Sequence, residues 1–284
     1  MRLLSALVVV ATVLGASVPA PAQDANVDLE LVLAVDVSGS VDTFEARLKR
    51  QGYIDALTDP RFLQAVRNGR HGRVAVTYLE WGGWGLFPHV VDWHVISDEA
   101  SARAFVGRLG HIEPSFRGTS ISGAIGLSLQ LFALNPHRGD RKVIDISGDG
   151  PNNEGLSVVS YRDLAVSRGI TINGLPILAD GGNVVPDLDV YYEECVIGGA
   201  GAFVIAAQDF ESFADAVLRK LILEIADTTP VAPVAPVVRA QFLQPGRPGG
   251  GAVGAPQTKA PRYFPYCDIP NNGRRMIFPA PNEL

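Results

Sequence analysis

The stretch Leu29–Ser40, LELVLAVDVSGS, constrains this chain more than any other. It starts as a near-continuous apolar run, the pattern of a strand buried on both faces of a parallel sheet. It ends abruptly in Asp36, Ser38 and Ser40, with Gly39 freeing the backbone to turn. A carboxylate and two hydroxyls at alternate positions, where a buried strand leaves the core, make a poor structural element. They make a good set of hard oxygen ligands for a cation. The plainer alternative is a capped strand-to-helix turn with no ion.

The rest of the chain supplies partners for that strand. Val41–Leu57 reads as a helix stopped by Asp59-Pro60, and Val74–Leu79 as a second strand. A glycine-rich turn, Glu80–Gly85, follows with Trp81 and Trp84, and then His89–Ile96 as a hairpin partner of the second strand. Ser97 reads as the cap of a helix running to about Leu109. Ile121–Leu134 is apolar nearly all round, as a helix buried against a sheet would be. Val143–Ile146 is a short buried strand ending in Ser147-Gly148-Asp149-Gly150. A helix over Leu156–Arg168, strands over Ile170–Leu178 and Ala202–Ala207, and a strongly amphipathic helix from Asp209 to Ile225 complete the pattern. Strands alternating with helices imply an α/β, doubly wound, mostly parallel sheet, whose ligands sit beyond the carboxyl ends of the strands.

Two strands thus end in acid-bearing turns, at Asp36 and Asp149. If the strands are neighbours, two carboxylates converge in a partly buried place, where they repel unless a cation intervenes. Ser38, Ser40 and Thr119 add neutral oxygens, and these turns contain no thiol or imidazole. Magnesium, calcium or manganese is therefore favoured over zinc or copper, and magnesium is the ion expected. Asp36-x-Ser38-x-Ser40, then Thr119, then Asp149 resemble the metal-ion-dependent adhesion site of von Willebrand factor A domains, over about Val27–Ile225. The glycine-rich Val196–Phe203 region also resembles exported bacterial A-type domains of undefined function, of the DUF1194 kind. The resemblance implies a six-stranded sheet flanked by helices, with one antiparallel edge strand. It implies direct ligation by Ser38, Ser40 and Thr119, with Asp36 and Asp149 acting directly or through water. One coordination position would be left for a carboxylate presented by a partner protein. Gly148 and the Gly150-Pro151-Asn152-Asn153 loop depart from that family's habit.

Composition bounds the remaining choices. The 284 residues are 47% hydrophobic and 19% charged, enough for one ordinary core with extensions. A formal net charge of -6 argues against a nucleic-acid partner. Residues 1–22 read as an export signal: Arg2, the apolar Leu3–Val18, and the small-residue site Ala20-Pro21-Ala22. The mature chain is expected to begin near Gln23 and to be periplasmic or secreted, without a transmembrane segment. Residues 23–226 form the expected domain, 227–261 a Pro/Ala/Gly-rich linker, and 262–284 a tail segment. Cys195 and Cys267 permit one disulfide in an exported protein, and two unpaired thiols are the alternative.

Selectivity for a partner would come from the rim of the site, for which Trp81, Trp84, Arg117 and Asn152 are the candidates. Packing of both tryptophans on their own hairpin is the alternative. His71, His89, His94, His111 and His137 show no paired ligand spacing, and each reads as surface or structure. Arg138-Gly139-Asp140 spells an adhesion tripeptide but is expected on the opposite end of the sheet. Two other functions compete with a non-enzymatic binding module. One is a magnesium-dependent hydrolase or phosphatase using Asp36, which would need a second aspartate where Ser38 stands. The other is an ion-free structural domain.

Overall fold

The structure, a computed structural model, describes residues 26–38, 43–110, 118–178, 187–209, 212–226 and 267. The expected export signal, Ser40, Arg117, the expected linker and the expected tail other than Cys267 lie outside the described residues.

The apolar run forms β1 (Asn26–Asp36), buried over nearly its whole length. It is followed by α1 (Thr43–Thr58), α2 (Pro60–Asn68), β2 (Val74–Trp81), β3 (His89–Ile96), α3 (Glu99–Val106) and α4 (Ile121–Leu134). Then come β4 (Arg138–Gly148), α5 (Val158–Ser167), β5 (Ile170–Pro176), α6 (Leu188–Tyr191) with a π turn at Tyr192–Val196, and α7 (Phe213–Ile225). The sheet order is β3-β2-β1-β4-β5. β1 pairs in parallel with β2 and β4, β4 with β5, and only β3 is antiparallel, at the edge. β1 is thus the central strand, and its carboxyl end lies between those of β2 and β4.

Side-chain alternation along β1 divides the core. Leu29, Leu31, Leu33 and Val35 face α1, α2, α3 and α7, among Tyr53, Phe62, Phe105, Phe213 and Leu221. Val32 and Ala34 face α4, α5 and α6, among Ile121, Ile125, Tyr161 and Tyr191. A strand with both faces covered has no polar side to show, which is why the sequence runs apolar there. α4 is covered nearly all round, and an added Cβ at Gly126 would lie 2.9 Å from the Tyr161 ring of α5. The two helices approach closely because that side chain is missing.

Local chemistry sets the ends of the helices. Asp59 caps α2, with Pro60 at its first position. Asp98, not Ser97, is the cap of α3, in a capping box with Ser101. Ser120 Oγ accepts from Gly123 N at 3.1 Å to start α4. Ser212 precedes α7, and Asp209 lies one turn earlier, accepting from Ser212 N at 2.7 Å.

Two expectations about strands change. β4 is longer than Val143–Ile146 and begins at Arg138, which puts Arg138-Gly139-Asp140 at the opposite end of the sheet from Asp36. Among the described residues the sheet has five strands, not six. The sixth survives as isolated parallel bridges, Gly174 with Val204 and Ile177 with Ala207. The Asn173 side chain accepts from Phe203 N at 3.1 Å, and Ile172 bonds instead to Gly198, so the ladder is interrupted there.

Candidate metal centre

Asp36 is the last residue of β1, in register with Trp81 of β2, while Val35 pairs with Ser147 of β4. The parallel register therefore carries three strand-to-loop transitions to one end of the sheet. Asp36 is fully buried. Its Oδ1 accepts from Ser38 N at 2.8 Å, which bends the chain out of the strand. Its Oδ2 is buried with no hydrogen-bond partner. Lys49 Nζ, also buried, donates to the Asp36 carbonyl at 3.0 Å.

Burial pushes the Asp36 carboxyl up to about 7; the Lys49 ammonium pulls it down and the Asp149 carboxylate pushes it up again. The two carboxylates thus feel one another across the ends of β1 and β4. Thr119 comes in from the turn before α4, and its Oγ1 donates to Ser38 Oγ at 3.3 Å. Asp36, Ser38, Thr119 and Asp149 are accordingly brought together.

The loop after β4 fixes the Thr119 turn. Asn153 Oδ1 accepts from Thr119 N at 2.8 Å, and the Thr119 carbonyl accepts from Asn153 N and Glu154 N at 2.9 and 3.1 Å. Ser120 N donates to the Gly82 carbonyl at 2.8 Å and ties in the β2 turn. Gly148 occupies a crowded point, since an added Cβ would lie 2.8 Å from Tyr192 Oη and 2.9 Å from Asp36 Oδ2. Tyr192 Oη is itself buried without a hydrogen-bond partner, and burial followed by Asp36 and Asp149 raises its pKa well above the usual phenol value.

The rim expectations need correction. Trp81 is fully buried, its indole packed among the residues beneath α4, so it offers no contact surface. Asn152 is 4% exposed and is a bracket rather than a rim residue. Its N donates to Tyr191 Oη at 3.0 Å, its Oδ1 accepts from Ser122 N at 3.0 Å, and its Nδ2 donates to the Leu156 carbonyl at 3.1 Å. Trp84 is partly exposed and meets Tyr161 edge-on at 6.2 Å, with its N donating to Glu154 Oε2 at 3.1 Å.

Gly155 has φ +86, and an added Cβ would run into the Trp84 ring and lie 2.7 Å from Ser120 Oγ. Gly155→Ala is therefore expected to lower stability by roughly 1–3 kcal/mol, from overpacking and left-handed strain. Urea denaturation measures this, and an unchanged midpoint would show that Trp84 gives way freely.

Lys49 and Tyr192 were not picked out by sequence reasoning. A lone lysine on the inner side of a helix that follows an acidic turn was the available signal for the first. Cys195 and Cys267 are bonded to one another, and the Cys267 carbonyl accepts from Tyr191 Oη at 3.1 Å.

A sequence model of the family described as "Protein of unknown function (DUF1194)" matches residues 26–229. The chain belongs to the DUF1194 family. The match covers the whole sheet and the candidate metal centre, so these are parts of the DUF1194 domain. No protein among curated sequences matches the chain. Among solved structures, the pilus adhesin SpaC of Lactobacillus rhamnosus GG, in an open conformation, is similar in fold with a TM-score of 0.53 at 15% identity. That match covers 72% of this chain and 30% of the adhesin, so the chain spans about a third of the adhesin's length. A von Willebrand factor type A structure from Catenulispora acidiphila has a TM-score of 0.49 at 14% identity, covering 70% of this chain and 42% of that one. The α/β sheet of this DUF1194 domain, parallel but for one edge strand, is similar in fold to part of that adhesin.

Proposed function

We propose that this DUF1194 domain is a divalent-cation-dependent protein-binding module of the exported face of the cell. The ion would be held by Asp36, Ser38, Ser40, Thr119 and Asp149, magnesium before calcium or manganese, and would grip a carboxylate of a partner. The observation that carries this reading is Asp36 Oδ2, a carboxylate oxygen in a fully buried residue with no hydrogen-bond partner. A buried charge left so is costly unless a counter-charge meets it. The donor set beside it, two hydroxyls and a second carboxylate, fits a hard cation. Binding is favoured over hydrolysis because Ser38 stands where a second acid would be needed, and its backbone N–H is spent on orienting Asp36. Among the described residues no helix is long and apolar enough to cross a membrane.

Of the four rim candidates, Trp84 keeps its place, with Glu154 beside it; Arg117 lies outside the described residues. The test is capture from native envelope extract on immobilised protein, with magnesium and with chelator, alongside Asp36→Ala. A specific partner retained only by wild type in magnesium is the expected result. Magnesium titration by calorimetry accompanies it, with one site in wild type and none in an Asp36→Ala, Asp149→Ala double variant. Full ion occupancy in the double variant would sink the assignment. Equal capture in chelator would leave the domain a scaffold whose partner face lies elsewhere.

A further inference from the structure

The opposite end of the sheet holds a second group of oxygen and nitrogen ligands. Asp28 lies near the start of β1, and the flanking pairs Val27 with Gly139 and Leu29 with Arg141 put it beside Asp140 of β4. Like charges side by side on neighbouring strands repel. Yet Asp28 is 8% exposed and firmly held: its Oδ1 accepts from His71 N at 2.7 Å and its Oδ2 from Arg73 N at 3.2 Å. Gly69 sits hard against the same carboxylate, and the turn continues through Gly72 at φ +64. The turn between α2 and β2 is thus folded around Asp28, and this delivers the His71 imidazole to the two carboxylates.

The ring nitrogen is the decisive atom. His71 Nε2 is buried and makes no hydrogen bond, although Asp140 Oδ2 lies 3.3 Å away. One ligand atom from each of Asp28, His71 and Asp140 lies within 4.8 Å of the other two. Asp140 is 48% exposed and can swivel, while its neighbour Arg70 reaches it only at 3.7 Å from a largely exposed side chain. One fixed carboxylate, one adjustable carboxylate and one imidazole whose Nε2 makes no hydrogen bond suit a borderline divalent ion. The backbone N–H groups on Asp28 would serve as the outer shell that orients a ligand.

We propose that Asp28, His71 and Asp140 form a second metal site, for a zinc-class divalent cation. It is separate from the candidate centre at Asp36, since eight residues of extended strand put about 26 Å between Asp28 and Asp36. The imidazole gives it a preference for zinc that an all-oxygen site lacks.

The experiment is zinc titration by calorimetry on the full chain, in wild type and in Asp36→Ala. Each is repeated with His71→Ala and with Asp140→Asn added. One zinc site should persist in Asp36→Ala and weaken by at least about tenfold on either added change. Zinc should also raise the melting temperature of Asp36→Ala but not of Asp36→Ala, His71→Ala. Should His71→Ala fold poorly in chelator, the exposed Asp140→Asn decides. Zinc binding unaltered by both added changes overturns the proposal, and so does an absence of zinc binding in Asp36→Ala. Neither result bears on magnesium at Asp36, which is read in the separate titration.

Discussion

Lys220→Met is expected to cost about 3–5 kcal/mol at pH 8, the usual loss when one member of a buried ion group is removed. Lys220 is fully buried on α7, with Nζ 2.6 Å from Asp145 Oδ1 and 2.7 Å from Glu224 Oε1. Asn173 Nδ2 donates to the same Glu224 oxygen at 3.0 Å, and Lys220, Asp145, Asn173 and Glu224 are all buried. Burial lifts the Asp145 carboxyl from 3.8 to about 7; Lys220 lowers it and Glu224 raises it. A carboxyl raised on folding binds its proton more tightly in the native state. Its stabilising contribution is complete below about pH 4 and is lost as pH rises through about 7. Removing the ammonium takes away the one influence that favours ionisation, so the loss in Lys220→Met should be larger at pH 8 than at pH 5. Asp145→Asn, which leaves the Lys220–Glu224 pair intact, should cost less than Lys220→Met at pH 8. Chemical denaturation at the two pH values checks this. Equal losses at both would mean that the carboxyls are not responsible.

The other large effect is expected from one added carbon, Gly148→Ala. The new Cβ would meet Tyr192 Oη at 2.8 Å and Asp36 Oδ2 at 2.9 Å, both on buried side chains with little room to move. Overpacking of this kind costs roughly 1–3 kcal/mol in stability. The change should also reach the proposed ion, because the displaced atom is the very oxygen that lacks a partner. Magnesium affinity is expected to fall by about tenfold or more, about 1.4 kcal/mol. Tyr192→Phe in the same chain removes one of the two crowding oxygens and should recover part of the loss, a coupling that a double-mutant cycle isolates. Identical magnesium affinity in Gly148→Ala and wild type would show that Asp36 Oδ2 does not face the ion.

The fold was largely written in hydrophobic runs. β1 is covered on both faces and α4 over most of its surface, so their sequences are largely apolar and could hardly be read otherwise. The candidate centre was legible for a similar reason: Asp36 and Ser38 interrupt an apolar run at a strand end. Trp81 was misplaced because β2 continues two residues past Leu79, into register with Asp36, which turns the indole into the core. Asn152 Oδ1 and Asn153 Oδ1 accept from backbone N–H groups 30 and 34 residues away, and no periodicity reports such bonds. Lys220 and Glu224 flank the apolar stripe of α7 and so read as surface; the clue to their burial was Asp145, a charged residue in the middle of an apolar strand. His71 was passed over because Asp28 and Asp140, with which it groups, come from β1 and β4, at no fixed spacing.

The bond between Cys195 and Cys267 spans 72 residues and closes a loop worth on the order of 4 kcal/mol in chain entropy. It also seats the Cys267 carbonyl on Tyr191 Oη, the oxygen that receives Asn152 N, and Asn152 in turn holds the start of α4 and the loop beyond Asp149. A chain whose thiols are reduced would lack this brace behind the loop. Oxidising surroundings would add the brace, so redox chemistry, and not translation alone, would decide when the loop beyond Asp149 is fully held.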